Sequence, residues 1–237
     1  MFNENDPLVK FKLHILEKAL PAANAIVFGD MYIVEGGYTK KCIEYGCKRA
    51  LLIDSLETPA WLDLRKANPA INFYKGDFSN TLFMKGIQET FDMGVVFDIL
   101  LHQAPLVNTL HLMLEKINRS ICIVQPMIIE QAHPNTLIYL PGNKHAGELY
   151  PLESTDKDYK IFDIHEVNQS HWIWGMTVTF LTSLLAGEGY EIVYENKLCE
   201  LPNKKWFWYG CVAERKKRIN SHWSFHRTTP DIYSPGW

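Results

Sequence analysis

Short apolar runs alternate with helical patterns along the first half of the chain. Apolar residues at helical spacing lie between the runs and predict helices near 38–45 and over 59–67, 82–90 and 105–117. One more helical segment, 7–20, precedes the first run. Each run is too short for a helix and predicts a buried strand. This alternation predicts a parallel sheet covered by helices on both faces. The five predicted strands are residues 25–28, 49–54, 71–74, 93–97 and 120–125.

The pattern changes after the fifth strand. Residues 128–170 are polar, irregular and rich in Pro, Asn, His and Asp, and they are too many for an ordinary connection. We therefore expect an insertion or lid over about 128–175. A helix over 177–187 and alternating strands over 190–198 and 206–214 follow, which favours an antiparallel hairpin that closes the sheet.

The expected fold is an α/β, Rossmann-like, doubly wound and mostly parallel seven-stranded sheet. Its last strand is antiparallel, and the insertion follows strand five. One domain spans 1–237, with 218–237 as a C-terminal tail without a clear pattern.

The composition limits the classes of protein to which this chain could belong. Hydrophobic residues make up 47% of the 237 positions, enough for a large core. The net charge is −3, with 24 basic and 27 acidic residues, and it gives no electrostatic footprint for long nucleic acids. The five cysteines are widely spaced and form no Cys-x-x-Cys pair, which predicts reduced thiols in a cytoplasmic protein. We expect no signal peptide, no membrane-spanning segment and no membrane partner.

A glycine-containing loop follows the first predicted strand. It begins at Asp30 and runs through Gly36 and Gly37 to Thr39, at the start of the next predicted helix. Glycines allow a ligand to approach the backbone, and a helix N-terminus offers free N–H groups. An ordinary glycine-containing turn would give the same pattern.

Two further carboxylates follow the second and third predicted strands. Asp54 is placed to accept hydrogen bonds from both ribose hydroxyls of a nucleoside cofactor, or to cap the next turn. Asp77 and Phe78 follow the third strand, where a Gly-Asp pair is also a common turn. The carboxyl ends of parallel strands share one edge of a sheet, so these side chains are expected to converge there.

The order strand, Asp30, strand, Asp54, strand, Asp77 resembles class I S-adenosylmethionine (SAM)-dependent methyltransferases. The segment Gly36-Gly-Tyr-Thr39 is most similar to haemolysin-type RNA methyltransferases. The segment from Phe91 to His102 is similar to the fourth motif of small-molecule enzymes and of methyltransferases related to the wobble-uridine tRNA-modifying group.

This chain departs from the family at several positions. Met31, Tyr32 and Val34 stand where the family usually has small residues, and Leu101 replaces a tyrosine.

The resemblance implies SAM as cofactor and S-adenosylhomocysteine (SAH) as product. It implies that Asp77 binds the adenine amino group and that Phe78 covers the ring. Phe97 and Asp98 would lie beside the methionine part of the cofactor. The cofactor-binding residues expected on this basis are Asp30, Gly36, Gly37, Asp54, Asp77, Phe78 and Phe97.

Histidine and tryptophan side chains are the candidates on the side of the methyl acceptor. His102 would face the acceptor as a general base, and His171 is the second candidate. Trp172 and Trp174 would line an aromatic or apolar substrate site, with core packing as the alternative. The spacing of His165, Glu166 and His171 lacks the metal-binding His-Glu-x-x-His register, so no metal is expected.

Three functions remain open at this point. The first is methyl transfer to an O or N atom of a small-molecule substrate, with a specialised metabolite among the candidates. The second is an RNA methyltransferase acting on tRNA or rRNA; nucleic acid is the less favoured partner because no basic appendage is present. The third is a protein with the same fold but no methyl-transfer activity. The sequence specifies neither the acceptor nor the oligomeric state.

Overall fold

One seven-stranded sheet forms the centre of the molecule. The computed structural model describes residues 2–31, 34–103, 105–128, 135, 137–140, 173–198 and 206–216. The strands are β1 (Asn24–Phe28), β2 (Arg49–Asp54), β3 (Ile71–Lys75), β4 (Phe91–Phe97), β5 (Ile117–Ile128), β6 (Leu137–Leu140), β7 (Ile173–Met176), β8 (Tyr190–Leu198) and β9 (Trp206–Arg215). The helices are α1 (Pro7–Lys18), α2 (Gly37–Glu44), α3 (Pro59–Ala67), α4 (Thr81–Gly86), α5 (Leu106–Leu114) and α6 (Val178–Gly187), with a 3₁₀ turn over Leu100–His102.

The sheet order is β3-β2-β1-β4-β5-β9-β8. The first five strands run parallel, and β9 runs antiparallel to both β5 and β8. Chain order reverses direction across the sheet at β1 and β4, which creates a crevice at their carboxyl ends. The predicted doubly wound sheet with an antiparallel last strand is confirmed.

Two apolar layers cover the sheet, one on each face. Side chains from α1, α2 and α3 pack on one face, where Ile15, Cys42 and Trp61 are fully buried. Side chains from α4, α5 and α6 pack on the other, around Met84 and Leu185. Burial on both faces explains why the central strands are continuous apolar runs rather than alternating ones.

The fifth strand and its flanking helix differ from the prediction. The helix expected over 105–117 ends at Leu114, and β5 begins at Ile117 and continues to Ile128. Lys116 and Ile117 already pair with the start of β4, since the Phe91 N–H donates to the Lys116 carbonyl. The end of the predicted helix therefore pairs in the sheet instead, because Ile117 lies opposite Phe91 of β4.

The helix predicted over 82–90 is also shorter, and α4 ends at Gly86. Ile87 adopts an extended backbone and buries its side chain in the core, which ends the helix.

The segment predicted as an insertion contains a small second sheet. Strands β6 and β7 pair antiparallel, so Leu137–Leu140 is regular rather than irregular as predicted. The rest of 129–172, and the predicted tail 218–237, lie outside the described residues. Within the described ranges, no helix is long and apolar enough to cross a membrane.

Candidate functional site

Four aspartates lie at the carboxyl ends of the first four strands. Asp30 follows β1, Asp54 ends β2, Asp77 follows β3 and Asp98 follows β4. Because these strands are parallel and adjacent, all four aspartates lie along the same edge of the sheet. The placement at one edge of the sheet that the sequence predicts for Asp30, Asp54 and Asp77 is therefore present in the fold.

Asp30 caps the N-terminus of α2 from a distance. Its carboxylate accepts hydrogen bonds from the backbone N–H of Tyr38 (3.3 Å) and Thr39 (2.6 Å) and from the Thr39 hydroxyl (2.7 Å). The residue directly before the helix, Gly36, has no side chain to do this. Asp30 thus satisfies two of the free N–H groups of the first turn and, when ionised, places a negative charge at the positive end of the helix dipole.

Burial controls the ionisation of Asp30. Only 2% of the residue is exposed, and this desolvation raises the pKa of Asp30 to about 7, against the three hydrogen bonds that lower it. The negative charge of Asp54 adds a smaller rise. Near neutral pH, Asp30 is therefore poised between its neutral and charged forms.

Asp54 connects β2 to the loop after β1. Its Oδ2 accepts a hydrogen bond from the Met31 N–H (2.9 Å), and its Oδ1 accepts one from the Leu56 N–H (2.9 Å). A carboxylate offers about four acceptor positions, so each oxygen retains capacity for a ligand hydroxyl. The two alternatives from the sequence, a turn cap and a ribose ligand, are compatible with this geometry.

The glycine loop is packed by side chains of the chain itself. Gly36 adopts φ +83°, and a Cβ there would collide with the ring of Trp61. A Cβ on Gly37 would collide with the ring of Phe2. Both glycines are thus required by protein contacts, and their predicted contact with a cofactor remains a prediction.

The third carboxylate lies at the surface. Asp77 is exposed, and its Oδ1 accepts a hydrogen bond from the Ser79 N–H (2.8 Å), which forms the turn that the Gly-Asp pair predicts. Phe78 is buried and contacts Phe28 edge to face, with ring centroids 5.9 Å apart. Asp77 is therefore accessible to a ligand, while Phe78 belongs to the edge of the core.

An ion pair between Lys12 and Asp98 lies at the end of β4. Lys12 comes from α1, and its Nζ contacts Oδ2 of Asp98. Phe97, one of the predicted cofactor residues, is buried next to them and contacts Tyr38 edge to face at 5.0 Å. Burial raises the pKa of Asp98, and the Lys12 charge opposes that rise.

Lys12 is absent from the residues that the sequence singled out. A signal for it exists, because Lys12 interrupts the apolar face of α1 between Phe11 and Ile15. A lysine within an apolar helix face is rarely buried without a partner. The partner lies 86 positions away and could not be identified from the sequence.

The predicted acceptor side is described only in part. His102 ends the 3₁₀ turn after β4 and is exposed. Trp174 of β7 donates a hydrogen bond from Nε1 to the carbonyl of Gln103 (2.7 Å), so this tryptophan lies against the turn that carries His102. His171 and Trp172 lie outside the described residues, and their predicted roles stay predictions.

No group of three or more His, Cys, Asp or Glu side chains in the described part of the chain is arranged to hold a metal ion. A small pocket lies at the opposite, amino-terminal edge of the sheet, lined in part by Arg49, Asn72 and Glu89.

Comparison with known proteins finds similarity in structure alone. No family model matches the chain, and no curated protein matches its sequence. Solved structures superpose over most of its length.

One similar structure is the 1,6-didemethyltoxoflavin-N1-methyltransferase of Burkholderia thailandensis, solved with 1,6-didemethyltoxoflavin and SAH bound. It has a TM-score of 0.61 at 15% identity, covering 90% of this chain and 80% of that one. Another is the N-methyltransferase NodS of Bradyrhizobium japonicum in complex with SAH, with a TM-score of 0.56 at 12% identity, covering 90% of each chain.

A third similar structure is named as a cyclase rather than as a methyltransferase. The [4+2]-cyclase SpnF has a TM-score of 0.59 at 8% identity, covering 87% of this chain and 80% of that one. At such identities the likeness shows a shared fold, and the fold is the one that class I SAM-dependent methyltransferases have.

Proposed function

We propose that this chain, with the fold of class I SAM-dependent methyltransferases, transfers a methyl group from SAM to an O or N atom of a small molecule. The observation that supports this most directly is the row of Asp54, Asp77 and Asp98 at the carboxyl ends of β2, β3 and β4. Two similar structures named as N-methyltransferases add support, since both were solved with SAH and one of them also with 1,6-didemethyltoxoflavin.

The side chains present fit a bound SAM molecule. Asp54 has acceptor capacity left on both carboxylate oxygens and would hold the ribose hydroxyls. Asp77 is exposed and would accept from the adenine amino group. Oδ1 of Asp98 is buried and, among the described residues, accepts no hydrogen bond, so it offers an acceptor to the cofactor ammonium.

The chemistry needs little from the protein beyond alignment. Bound SAM would supply an activated methyl group: its sulfur–methyl bond would break as the new O–C or N–C bond forms, SAH would be left, and the proton of the acceptor would pass to a base or to water. The protein must hold the acceptor in line with the methyl group and keep water away. His102 is the candidate base among the described residues, and Trp174 is the candidate wall of the acceptor site.

Calorimetric titration with SAM and with SAH tests the proposal. We expect both to bind, and we expect Asp54→Asn to weaken binding about tenfold or more, because the amide replaces one acceptor oxygen by a donor. Asp63→Asn is the matched control, since Asp63 is exposed on α3. Absence of binding by the native protein would refute the proposal.

Methyl transfer is measured separately, with labelled SAM and panels of phenols, amines and tRNA. Transfer to small molecules supports the proposal. Transfer to tRNA, with binding that falls steeply as salt rises, would favour an RNA methyltransferase instead.

A second function is a SAM-fold protein that catalyses another reaction. The packing of Phe2 and Trp61 against the two loop glycines favours it, and so does the structural likeness to the [4+2]-cyclase SpnF. SAH binding without methyl transfer to any acceptor in the panels would support this alternative.

A further inference from the structure

Lys12 is a buried cation in an otherwise apolar helix face. Only 7% of the residue is exposed, and its neighbours Phe11 and Ile15 are core residues. Burying a lysine is costly unless it is paired. Its ammonium contacts Oδ2 of Asp98 and lies 5.5 Å from the centre of the Tyr38 ring and 5.6 Å from that of Trp208. An anion and two aromatic faces therefore stabilise this charge inside the protein.

Asp98 is held in an unusual conformation at the end of β4. Its φ is +59°, a region that residues other than glycine rarely adopt. Its N–H donates to the Val124 carbonyl of β5 (2.8 Å), which extends the ladder between the two strands by one residue. Such conformations concentrate at functional sites, where surrounding structure enforces them. In this conformation the carboxylate contacts Lys12 of α1.

Two polar atoms beside this ion pair are left without partners. In the described part of the chain, neither Oδ1 of Asp98 nor the Tyr38 hydroxyl has a hydrogen-bond partner, and both atoms are buried. An unsatisfied buried polar group costs about 1–3 kcal/mol. An acceptor and a hydroxyl that share one buried region with a lysine ammonium match a polar ligand that is itself charged.

The charges of the pair match an amino-acid zwitterion. A zwitterion carries an ammonium, which needs an anionic acceptor, and a carboxylate, which needs a cationic donor. Asp98 has one free oxygen, and the Lys12 ammonium has three donors, of which the contact with Asp98 uses one. The four charges add to zero, so the complex leaves no uncompensated charge in a buried place.

We propose that Lys12 and Asp98 together bind the amino-acid end of the cofactor, with Lys12 donating to its carboxylate and Asp98 accepting from its ammonium. This inference rests on the proposed function, and it adds α1 to the binding site as the source of the cation. The adenosine end is held by different residues, so the two ends can be tested separately.

The test compares three ligands by calorimetry. SAH carries both charged groups, decarboxylated SAH keeps only the ammonium, and 5′-methylthioadenosine has neither. We expect the native protein to bind SAH roughly 10- to 100-fold more tightly than decarboxylated SAH, the usual scale for a charged hydrogen-bonded pair. Lys12→Met is expected to weaken the binding of SAH by a similar factor and to leave the affinity for 5′-methylthioadenosine unchanged.

The decisive measurement is whether the effect of removing the ligand carboxylate depends on the presence of Lys12. In the Lys12→Met variant, removal of the ligand carboxylate should no longer matter, because its partner is gone. Lys12→Arg should restore most of the preference for SAH. Lys10→Met is the matched control, since Lys10 is an exposed lysine on the same helix.

Two results would overturn the inference while leaving the proposed function standing. One is a Lys12→Met variant that binds all three ligands more weakly by the same factor, which would indicate a structural role for Lys12. The other is a native protein that binds SAH and decarboxylated SAH equally. Failure of the native protein to bind any of the three would refute the proposed function, and this inference with it.

Discussion

The raised pKa of Asp30 makes the stability of the fold depend on pH. Its carboxyl group is buried, and its pKa is raised from an ordinary value near 4 to about 7. A group whose pKa is higher in the folded state binds its proton more tightly there. Its contribution to stability is therefore full below about pH 4 and is lost as the pH rises through 7.

Asp30→Asn is expected to remove this dependence, because the amide does not titrate. One pKa unit corresponds to about 1.4 kcal/mol, so the stability of the native protein relative to the variant should fall by a few kcal/mol from pH 4 to pH 8. Thermal unfolding followed by circular dichroism measures it. The control, Asp63→Asn, removes an exposed carboxylate. A difference between native and Asp30→Asn that is constant with pH would contradict the raised pKa.

Single residues also mark the limit of what the sequence predicts. Asp30, Asp54 and Asp77 were identified because each follows an apolar run, and strand direction alone brings them to one edge. Lys12 was missed because its role depends on Asp98, a residue distant in the chain. Patterns along the sequence locate side chains on elements, but they do not report which side chains meet across the fold.

At the scale of elements, the sequence predicted the order of strands and helices well. The central strands are buried on both faces, so their apolar runs are unmistakable, and the predicted bounds of β2 and β8 are those observed. Errors lie at element boundaries, as at 115–117, where the spacing predicts helix but α5 ends at Leu114 and Ile117 begins β5 by pairing with Phe91. The pair of β6 and β7 was missed because its partners come from the two ends of a long, polar segment.

The junction between the glycine loop and α2 offers a matched test of packing. Gly36 and Gly46 both have positive φ, +83° and +103°, but only Gly36 has a neighbour, the buried Trp61 ring, where a Cβ would lie. Alanine at Gly46 should lower the free energy of unfolding by about 1–2 kcal/mol through backbone strain alone.

Alanine at Gly36 carries the same strain and must also displace the buried Trp61 ring, which adds about 1–3 kcal/mol. Urea unfolding of both variants measures the difference. Equal losses would show that Trp61 moves aside freely and that the loop is less tightly packed than the structure indicates.

At the scale of the whole molecule, the two faces of the sheet have different tasks. The face under α4, α5 and α6 holds a continuous apolar core that includes Tyr209, Cys211 and Ala213 of β9. The face under α1, α2 and α3 holds a core as well, and it also carries Lys12 to the carboxyl edge of the sheet. Docking of α1 therefore serves the stability of the fold and, on our proposal, the binding of the cofactor.

Two glycines, one on each face of the sheet, allow the contribution of each apolar layer to stability and to ligand binding to be tested separately. Gly210 of β9 lies under α1, where a Cβ would come within 2.6 Å of Ile15 and 3.0 Å of Phe11. Gly94 of β4 lies on the other face, where a Cβ would collide with Ile117. Alanine at either position overpacks a buried layer, and we expect each to lower the free energy of unfolding by about 1–3 kcal/mol.

The two variants should differ in ligand binding. Gly210→Ala displaces α1 and with it the ammonium of Lys12, so SAH binding should weaken severalfold while 5′-methylthioadenosine binds as before. Gly94→Ala disturbs a layer that does not carry Lys12, and both ligands should keep their native affinities. Calorimetry at a temperature where both variants are folded makes the comparison. If Gly94→Ala weakened SAH as much as Gly210→Ala does, the loss would follow from lower stability in general, and α1 would have no special part in binding.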